Sequence, residues 1–330
     1  MVLAKKGEVQ PVVRSAPKPI GEPIFLVGAE RSGTTMLRLM LSHHPEIAWC
    51  NEFEYSVDLI SQTQEFPQLD LYYDWLETHR IFRNTGFQID KTLDYPQLVN
   101  SFLHQKKEQT EKAIVGATVH RHFDKLLKIW PNARFIHIVR DPRDVARSCI
   151  GMGWAGNVWT GIERWLEAER LWDNLARHIP AERRIEVQYE ALIAEPTEIL
   201  SRLSDFIGVA YNDAMLSYPE TTTFSYPDPK LIYQWRRKMS DSEVQLVESQ
   251  VGELLERRGY KPSGLPSLEV SPLMQRKLRL QDKWQRWQFR LDRYGWRLWI
   301  SDYLARHLGM KTWAKDLRLQ IGAIDQTYVK

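Results

Sequence analysis

Residues 28–35 combine two glycines, an arginine and three hydroxyl side chains in a pattern suited to binding an anion, with the sequence Gly-Ala-Glu-Arg-Ser-Gly-Thr-Thr. The segment lies between a short apolar run and a stretch of helix formers. Gly28 and Gly33 permit a tight turn, and the first amides of a helix direct their N–H groups and the positive end of the helix dipole toward an anion. Arg31 adds a formal positive charge. The pattern therefore predicts a loop that wraps a phosphate-like group.

A second segment, residues 139–148, has the sequence Val-Arg-Asp-Pro-Arg-Asp-Val-Ala-Arg-Ser and again joins an apolar run to a helix. Arg140 ends the apolar run, and Ser148 follows two helical turns later. An arginine fork and a serine hydroxyl can together bind one more phosphate. Two separate phosphate sites imply a ligand that carries phosphates at both ends.

The first loop lacks one residue that nucleoside triphosphate chemistry uses. Its frame is G-x-x-x-x-G-x-[ST], and Thr34 replaces the lysine that reaches the β- and γ-phosphates in P-loop nucleotidases. No clear acidic strand end is present to hold Mg²⁺, and the two cysteines, Cys50 and Cys149, are too few for a structural zinc site. We expect no metal. A kinase or hydrolase using ATP and Mg²⁺ stays open as an alternative, as does a nucleotide-binding protein without transfer activity.

Both loops need elements that hold them at one place, and alternating strands and helices supply these. Apolar runs predict strands over residues 24–27, 113–119, 134–139 and 184–189. Predicted helices follow three of these runs. A helix over residues 34–43 follows the first run, a helix from the turn at 140–142 through residue 150 follows the third, and a helix over about 196–207 follows the fourth. This alternation is typical of the α/β class, a parallel sheet flanked by helices. Because such sheets bind ligands beyond the carboxyl ends of their strands, we expect both loops in one site.

The pair RSGTT (residues 31–35) and RDPRDVARS (residues 140–148) resembles the motifs of sulfotransferases that use 3′-phosphoadenosine 5′-phosphosulfate, PAPS. The resemblance covers about residues 23–262, including Trp235 and the Arg-Gly-Tyr sequence at 258–260, and its motif spacing is most similar to the tyrosylprotein branch. It implies a P-loop-like α/β fold, no metal, and in-line transfer of a sulfuryl group from PAPS to an acceptor hydroxyl or amine.

The resemblance also implies roles for individual residues. The 5′-phosphosulfate would be held by Arg31, Ser32, Gly33, Thr34 and Thr35. Arg140 and Ser148 would hold the 3′-phosphate, and Tyr189 would contact the nucleotide. Many relatives carry a lysine before the second loop that neutralises charge on the leaving phosphate, but Thr118 or its neighbours occupy that place here. The missing positive charge is expected from Arg236, Arg237 or Lys238 beside Trp235, or from Arg121.

Transfer to a hydroxyl also needs a general base within hydrogen-bond reach of the acceptor. Glu52 stands 21 residues after Arg31, a position similar to that of the catalytic glutamate of the tyrosylprotein sulfotransferases. It is the first candidate, and Glu54 is its nearest rival. Another branch of the family uses a histidine in the segment before the second loop, which makes His120 and His122 the other candidates.

The formal net charge of +3 averages two unlike regions. Residues 271–330 hold 13 Lys and Arg against 5 Asp and Glu, a net of +8, together with five of the 13 tryptophans. Trp284, Trp287, Leu291, Tyr294 and Leu298 have the spacing of one apolar stripe on a helix. We expect this region to pack, to form an oligomer or to contact an anionic membrane surface, and we expect no nucleic-acid partner.

These observations predict three parts of the chain. Residues 1–22 form an N-terminal arm, residues 23–265 the sulfotransferase domain, and residues 266–330 a basic, Trp-rich helical extension. The N-terminal sequence has no apolar core of the kind that a signal peptide or signal anchor needs, and no run approaches the ~20 apolar residues of a membrane span. We therefore expect a cytoplasmic protein that can associate peripherally with membranes.

Overall fold

A computed structural model of the protein describes residues 20–308 and 310–328. Most of the predicted N-terminal arm, residues 1–22, lies outside the described residues. The division of the chain at residue 265 stays a prediction.

A parallel five-stranded sheet forms the centre of the described structure, with the strand order β2-β3-β1-β4-β5. Its strands are β1 (Ile24–Val27), β2 (Ile47–Glu52), β3 (Ile114–Val119), β4 (Arg134–Val139) and β5 (Arg184–Gln188). Helices follow most strands and flank the sheet, which confirms the predicted α/β class. The first and third predicted strands have the predicted bounds.

The described helices, in chain order, are α1 (Thr34–His43), α2 (Leu69–Thr78), α3 (Arg80–Arg83), α4 (Tyr95–Thr110), α5 (Leu126–Ile129), α6 (Pro142–Gly151), α7 (Val158–Gly161), α8 (Glu163–Leu175), α9 (Tyr189–Ala194), α10 (Pro196–Ile207), α11 (Trp235–Lys238), α12 (Asp241–Val251), α13 (Leu254–Arg257), α14 (Pro272–His307) and α15 (Lys311–Tyr328). Two of them begin with a reciprocal capping box, formed by Asp94 with Gln97 and by Ser240 with Glu243.

Strand β2 is the strand that sequence analysis does not predict. Its first four residues, Ile47 to Cys50, are buried and follow the proline that ends α1 too closely for a separate apolar run to stand out. It pairs with β3, and the register shifts between Cys50 and Glu52, so that Glu52 lies opposite Thr118. The strand therefore brings Glu52 to the carboxyl edge of the sheet, where both anion loops also lie.

Each face of the sheet is covered by helices, and the alternation along β1 shows how. Phe25 packs in one buried cluster with Phe102 of α4 and Trp165 of α8. Leu26 packs on the opposite face with Leu37 of α1 and Leu203 of α10. Successive side chains of a strand point to opposite faces, so this short, fully buried strand contributes to both halves of the core.

The C-terminal helices pack on this body through the first part of α14. Leu278 belongs to the main core cluster, and the buried Asp282 accepts hydrogen bonds from Gly156 N and Thr160 Oγ1, both at 2.7 Å. At Gly295 the backbone leaves helical geometry, with φ 73° and ψ 157°. The prediction of one continuous apolar stripe from residue 284 to 298 is therefore wrong, because a glycine in this conformation divides the helix.

None of the described helices is both long and apolar enough to span a membrane.

Candidate active site

The first loop joins β1 to α1 and is shaped by residues with positive φ. Gly28 (φ 144°) passes so close to β4 that a Cβ there would lie 2.3 Å from the Ile138 carbonyl oxygen. Arg31 has φ 71° and Gly33 has φ 93°. Gly33 is the N-cap of helix α1, which therefore has no side-chain cap, and the first turn of the helix contains no acidic residue. The N–H groups of this turn therefore lack intrahelical and side-chain acceptors, which is the arrangement that binds anions at a helix start.

The second loop joins β4 to α6 and lies directly against the first. The Arg31 guanidinium donates from Nε to Ser148 Oγ at 2.9 Å. In return, Arg140 donates from Nη1 to the carbonyl oxygen of Arg31 at 3.1 Å. The structure thus brings the two sequence motifs together, with Arg31 of the first motif between its own loop and the serine of the second.

Tyr189, the first residue of α9, lies between the loops. Its ring would be 2.2 Å from a Cβ at residue 33, so only glycine fits beside it. The Arg140 guanidinium lies over the same ring, 4.4 Å from its centroid. Burial raises the pKa of Tyr189, and the neighbouring Arg140 lowers it by less. Tyr189 therefore acts as a neutral wall that positions both loops.

Two buried polar atoms of these loops have no hydrogen-bond partner in the described part of the chain, Ser32 Oγ and Arg140 Nε. Buried polar atoms are usually paired, because an unpaired one costs roughly 1–3 kcal/mol. One atom lies on each loop, and both can donate to an anionic oxygen. The residues present therefore fit two phosphate-like groups.

A buried network holds the second loop in shape. Asp141 accepts from Arg143 through both carboxylate oxygens, at 2.9 and 2.7 Å, and from Trp235 Nε1 at 3.0 Å. Its backbone N–H donates to Glu190, whose other oxygen accepts from Tyr260 OH at 2.8 Å. The Trp235 and Tyr260 residues on which part of the resemblance rests thus brace the loop from outside the sheet.

A chain of three side chains reaches the first loop from β3. Thr34 Oγ1 lies 3.0 Å from His120 Nε2, and His120 Nδ1 lies 2.6 Å from Glu54 Oε1. Glu54 also accepts from the backbone N–H of His120. Burial lowers the pKa of His120, but the hydrogen bond and charge of Glu54, with the charges of Glu30 and Glu52, raise it by more, so the pKa lies above its usual value. At Glu54 burial raises the pKa of the carboxyl, but the hydrogen bond and charge of His120, with the charge of Arg121, lower it by more, so this pKa lies below its usual value.

The two other candidates for the base have different surroundings. Glu52 is partly exposed at the end of β2, and its charge acts on Arg38 and His120. His122 is partly buried in a left-handed turn (φ 55°) and its side chain caps no helix. Of the predicted histidines, only His120 contacts the first loop through a hydrogen bond in the described structure.

Thr118, which stands in the place of the missing lysine, and the candidates for its positive charge lie in different surroundings. Thr118 accepts from Trp49 Nε1 inside the sheet, at 3.0 Å. Arg121 forms a two-pronged ion pair with Asp58, at 2.8 and 2.6 Å. Arg236 is exposed, with its guanidinium 5.4 Å from the centroid of the Trp235 ring that braces the second loop. Arg236 therefore lies at the rim of the site, and its contact with the ligand stays a prediction.

Two further residues beside the first loop, Trp154 and Arg164, are not predicted by sequence analysis. Trp154 lies 6.0 Å from the Arg31 guanidinium and 4.9 Å from that of Arg164, measured to its ring centroid. Arg164 pairs with Glu30 of the loop at 2.6 Å. Trp154 and Arg164 also line a cavity of about 310 Å³ between α8 and α14. Trp154 lies in the turn after α6 and Arg164 in α8, both far along the chain from the first loop, so no local motif marks them.

Fold and site together define an α/β protein in which two adjoining loops, each with an unpaired buried donor, lie at the carboxyl edge of a parallel sheet. A model described as "Sulfotransferase family" matches residues 23–213, which is more than half of the chain. The chain belongs to this family, and the predicted family is confirmed.

Named relatives show the same similarity at low identity. A protein-tyrosine sulfotransferase of Drosophila melanogaster is 26% identical over 214 residues, covering 60% of this chain and 40% of that protein. The omega-hydroxy-beta-dihydromenaquinone-9 sulfotransferase of Mycobacterium tuberculosis is 23% identical over 295 residues, covering 72% of this chain and 75% of that protein. The chain thus matches less than half of the length of the Drosophila protein.

A solved structure shares the fold. The sulfotransferase domain of the Synechococcus PCC 7002 olefin synthase aligns with a TM-score of 0.51 and 21% identity, covering 77% of this chain and all of that domain.

Proposed function

We propose that the protein transfers the sulfuryl group of PAPS to a hydroxyl or amine of an acceptor. The carrying observation is the pair of adjoining loops, each with an unpartnered buried donor, Ser32 Oγ on one and Arg140 Nε on the other. A nucleotide with a 3′-phosphate and a 5′-phosphosulfate carries two anionic groups that match two such sites. Membership of the sulfotransferase family supports the same assignment.

In this proposal each loop holds one end of the donor. The amides of the α1 N-terminus and the hydroxyls of Ser32, Thr34 and Thr35 bind the 5′-phosphosulfate, and Arg140 with Ser148 binds the 3′-phosphate. Arg31 lies between the two groups, since it already contacts Ser148. During transfer the acceptor oxygen or nitrogen forms a bond to sulfur, the bond from sulfur to the bridging phosphate oxygen breaks, and adenosine 3′,5′-bisphosphate leaves.

We assign the base to Glu52 and a different role to His120. Glu54 is buried and its carboxylate accepts hydrogen bonds from His120, whereas Glu52 is partly exposed and can reach an acceptor. The raised pKa of His120 favours the protonated ring, which donates from both nitrogens. His120 is therefore suited to stabilise negative charge on the leaving phosphate, in place of the lysine of other relatives.

The names of two relatives bear on the acceptor. One names a protein tyrosine and the other an omega-hydroxy compound, and both of these carry a hydroxyl. We therefore favour a hydroxyl over an amine. The predicted cytoplasmic location belongs to the same proposal, and the free, buried state of Cys50 and Cys149 supports it.

Ligand binding and transfer test the proposal. Isothermal titration should show tight binding of adenosine 3′,5′-bisphosphate without metal and none of ATP with Mg²⁺. At 100 times Kd the ligand should stabilise the fold by about 2.7 kcal/mol. Glu52→Gln should keep this binding and lose transfer from labelled PAPS to an acceptor panel by roughly a hundredfold or more. Binding of ATP with Mg²⁺ alone would instead support the kinase or hydrolase alternative.

A further inference from the structure

The C-terminal helices carry a set of large apolar side chains that face solvent. We name it the aromatic face, and it consists of Trp284, Trp287, Trp296, Ile300, Tyr303 and Leu304. Each of these residues is between 37% and 62% exposed. Exposed apolar patches of this kind on a soluble body usually mark an interaction site.

The second helix of the pair does not cover this face. Helix α15 packs on α14 through Ala305, Ala314 and Leu317, with Leu298 and Trp313 against them. Ala305 is buried in this small core, whereas its chain neighbours Tyr303 and Leu304 are exposed. The apolar side chains of the aromatic face therefore point away from the contact that joins the two helices.

The rings of this region form a continuous row across the break at Gly295. Trp284 stacks on Trp287 with 5.1 Å between ring centroids, and Trp287 meets the edge of Trp299 at 6.0 Å. Trp299 in turn stacks on Tyr303 at 6.1 Å. The bend at Gly295 thus joins two exposed helix faces into one surface.

Positive charge surrounds this row of rings. Residues 276–297 contain eight Lys and Arg and two Asp, a net of +6, and one of the acids, Asp282, is buried against Arg286 at 2.7 Å. The exposed Lys283 and Arg290 line a cavity of about 210 Å³ with Arg286 and two of the tryptophans. A second copy of the chain would bring the same charge to this surface, so self-association through it is disfavoured, and an anionic partner is complementary to it.

We propose that the aromatic face binds an anionic membrane surface. Tryptophan and tyrosine prefer the boundary between lipid headgroups and acyl chains, where an apolar ring can be buried and its polar atom stays hydrated. Lys283 and Arg290 then contact anionic headgroups, and the long arginine stems keep their charge in the headgroup layer. Arg286 also lines the cavity beside Trp154 and Arg164, and the Trp154 ring centroid lies 6.0 Å from the Arg31 guanidinium of the first loop.

Flotation of the full chain with lipid vesicles tests this proposal. The protein should float with vesicles of phosphatidylcholine and phosphatidylserine, should float far less with phosphatidylcholine alone, and should be released as salt rises. Lys283→Gln with Arg290→Gln should weaken binding to the anionic vesicles by at least about tenfold. Trp284→Ala with Trp296→Ala should weaken it by a similar factor.

Matched controls use exposed residues of the body. Arg170→Gln with Arg202→Gln removes two exposed arginines from α8 and α10, and Tyr226→Ala removes a ring that is 56% exposed. Both controls should float as the parent protein does. All variants should retain the parent's thermal midpoint and its affinity for adenosine 3′,5′-bisphosphate, so loss of flotation with intact nucleotide binding reports on the aromatic face alone.

Three results would overturn the membrane proposal. The first is equal flotation with neutral and anionic vesicles, and the second is unchanged flotation of both face variants. The third is absence of flotation with a dimer in solution that the tryptophan substitutions dissociate, which would assign the face to a second copy. Each leaves the proposed function standing, because nucleotide binding is measured without vesicles. Flotation without nucleotide binding would refute the proposed function and support the membrane proposal.

Discussion

We call the two loops and the residues that brace them the donor site, and helices α14 and α15 the C-terminal pair. These two regions use arginine and aromatic side chains in opposite ways. At the donor site, Arg143 is 2% exposed and forms an ion pair with Asp141. Its guanidinium also lies over the face of Trp235, with 3.8 Å between Cζ and the ring centroid. On α14, Arg290 and Trp296 are both exposed. A buried charge must be paired and hydrogen-bonded, so the first arrangement fixes one loop geometry. The same residue types on α14 are exposed and are therefore accessible to a binding partner.

Residue composition alone therefore does not distinguish a region whose charged and aromatic groups are paired within the protein from one where the same residue types are exposed. Both regions contain arginine next to tryptophan. What distinguishes them is whether the protein itself satisfies these groups, and at the donor site it satisfies all but a few atoms, Ser32 Oγ and Arg140 Nε among them. Substitutions in each region test this contrast.

Replacement of Gly33 by alanine should damage the donor site severely. Gly33 and Gly208 have almost the same φ, 93° and 91°, but a Cβ at residue 33 would strike the Tyr189 ring, and one at residue 208 would meet nothing within 4 Å. Gly208→Ala should cost about 1–2 kcal/mol of unfolding free energy for the left-handed backbone. Gly33→Ala should cost roughly 1–3 kcal/mol more, because the ring must move, and should abolish nucleotide binding.

Urea denaturation and calorimetric titration of both glycine variants provide the measurement. Equal loss of stability in the two variants, with nucleotide affinity retained in Gly33→Ala, would contradict the role of Tyr189 as a wall of the site.

The buried His137 should make the stability of the body depend on pH. It lies 3.2 Å from Glu169 and 3.4 Å from Glu186. Burial lowers its pKa, but these carboxylates raise it by more. A histidine whose pKa is higher in the folded state contributes its full stabilisation at pH values below its unfolded pKa of about 6.5. This contribution is lost as the pH rises through the folded-state pKa. The slope should approach about 1.4 kcal/mol per pH unit for one proton.

The test compares urea unfolding from pH 6 upward for the parent and for His137→Asn. The variant should lose part of the slope, and His120 should supply the remainder, since its pKa is raised in the same direction. His178→Gln, which changes an exposed histidine, is the control. A parent protein whose stability is constant or rises over this range would refute the assignment.

Replacement of exposed tryptophans on the C-terminal pair should have the smallest effect on folding. Trp296 is 62% exposed, and exposed positions usually change stability by no more than about 0.5 kcal/mol. Trp296→Ala should therefore leave the unfolding midpoint unchanged. The buried Trp165 of the main core is the matched contrast, and Trp165→Ala should cost roughly 3–5 kcal/mol. A large loss in Trp296→Ala would show that the aromatic face already has a partner within the chain.

The fold was largely predictable because its signals are local. Strand β1 and helices α1 and α10 have the predicted bounds, because each is an apolar pattern with a clear end. A glycine follows β1 and α10, and a His-Pro pair follows α1. Strand β2 was not predictable in this way. It follows α1 after only three residues, and its place is set by pairing with β3, which is more than 60 residues away.

The candidate site divides along the same line. The two loop motifs were recognisable because each is contiguous, whereas the hydrogen bond between Arg31 and Ser148 joins residues 117 positions apart. The spacing from Arg31 favours Glu52 over Glu54, but it does not show that Glu54 is hydrogen-bonded to His120. The break at Gly295 was also hidden, because the apolar spacing on either side of it continues without a change of period.

A thermodynamic cycle shows whether the two loops bind the two phosphates of one nucleotide. Adenosine 3′,5′-bisphosphate and adenosine 5′-phosphate are titrated into the parent protein and into Ser148→Ala. A hydrogen bond to a charged group contributes about 1.5–3 kcal/mol, so the variant should bind the bisphosphate at least about tenfold more weakly and the monophosphate with unchanged affinity. Equal loss for both ligands, or loss for neither, would contradict the account.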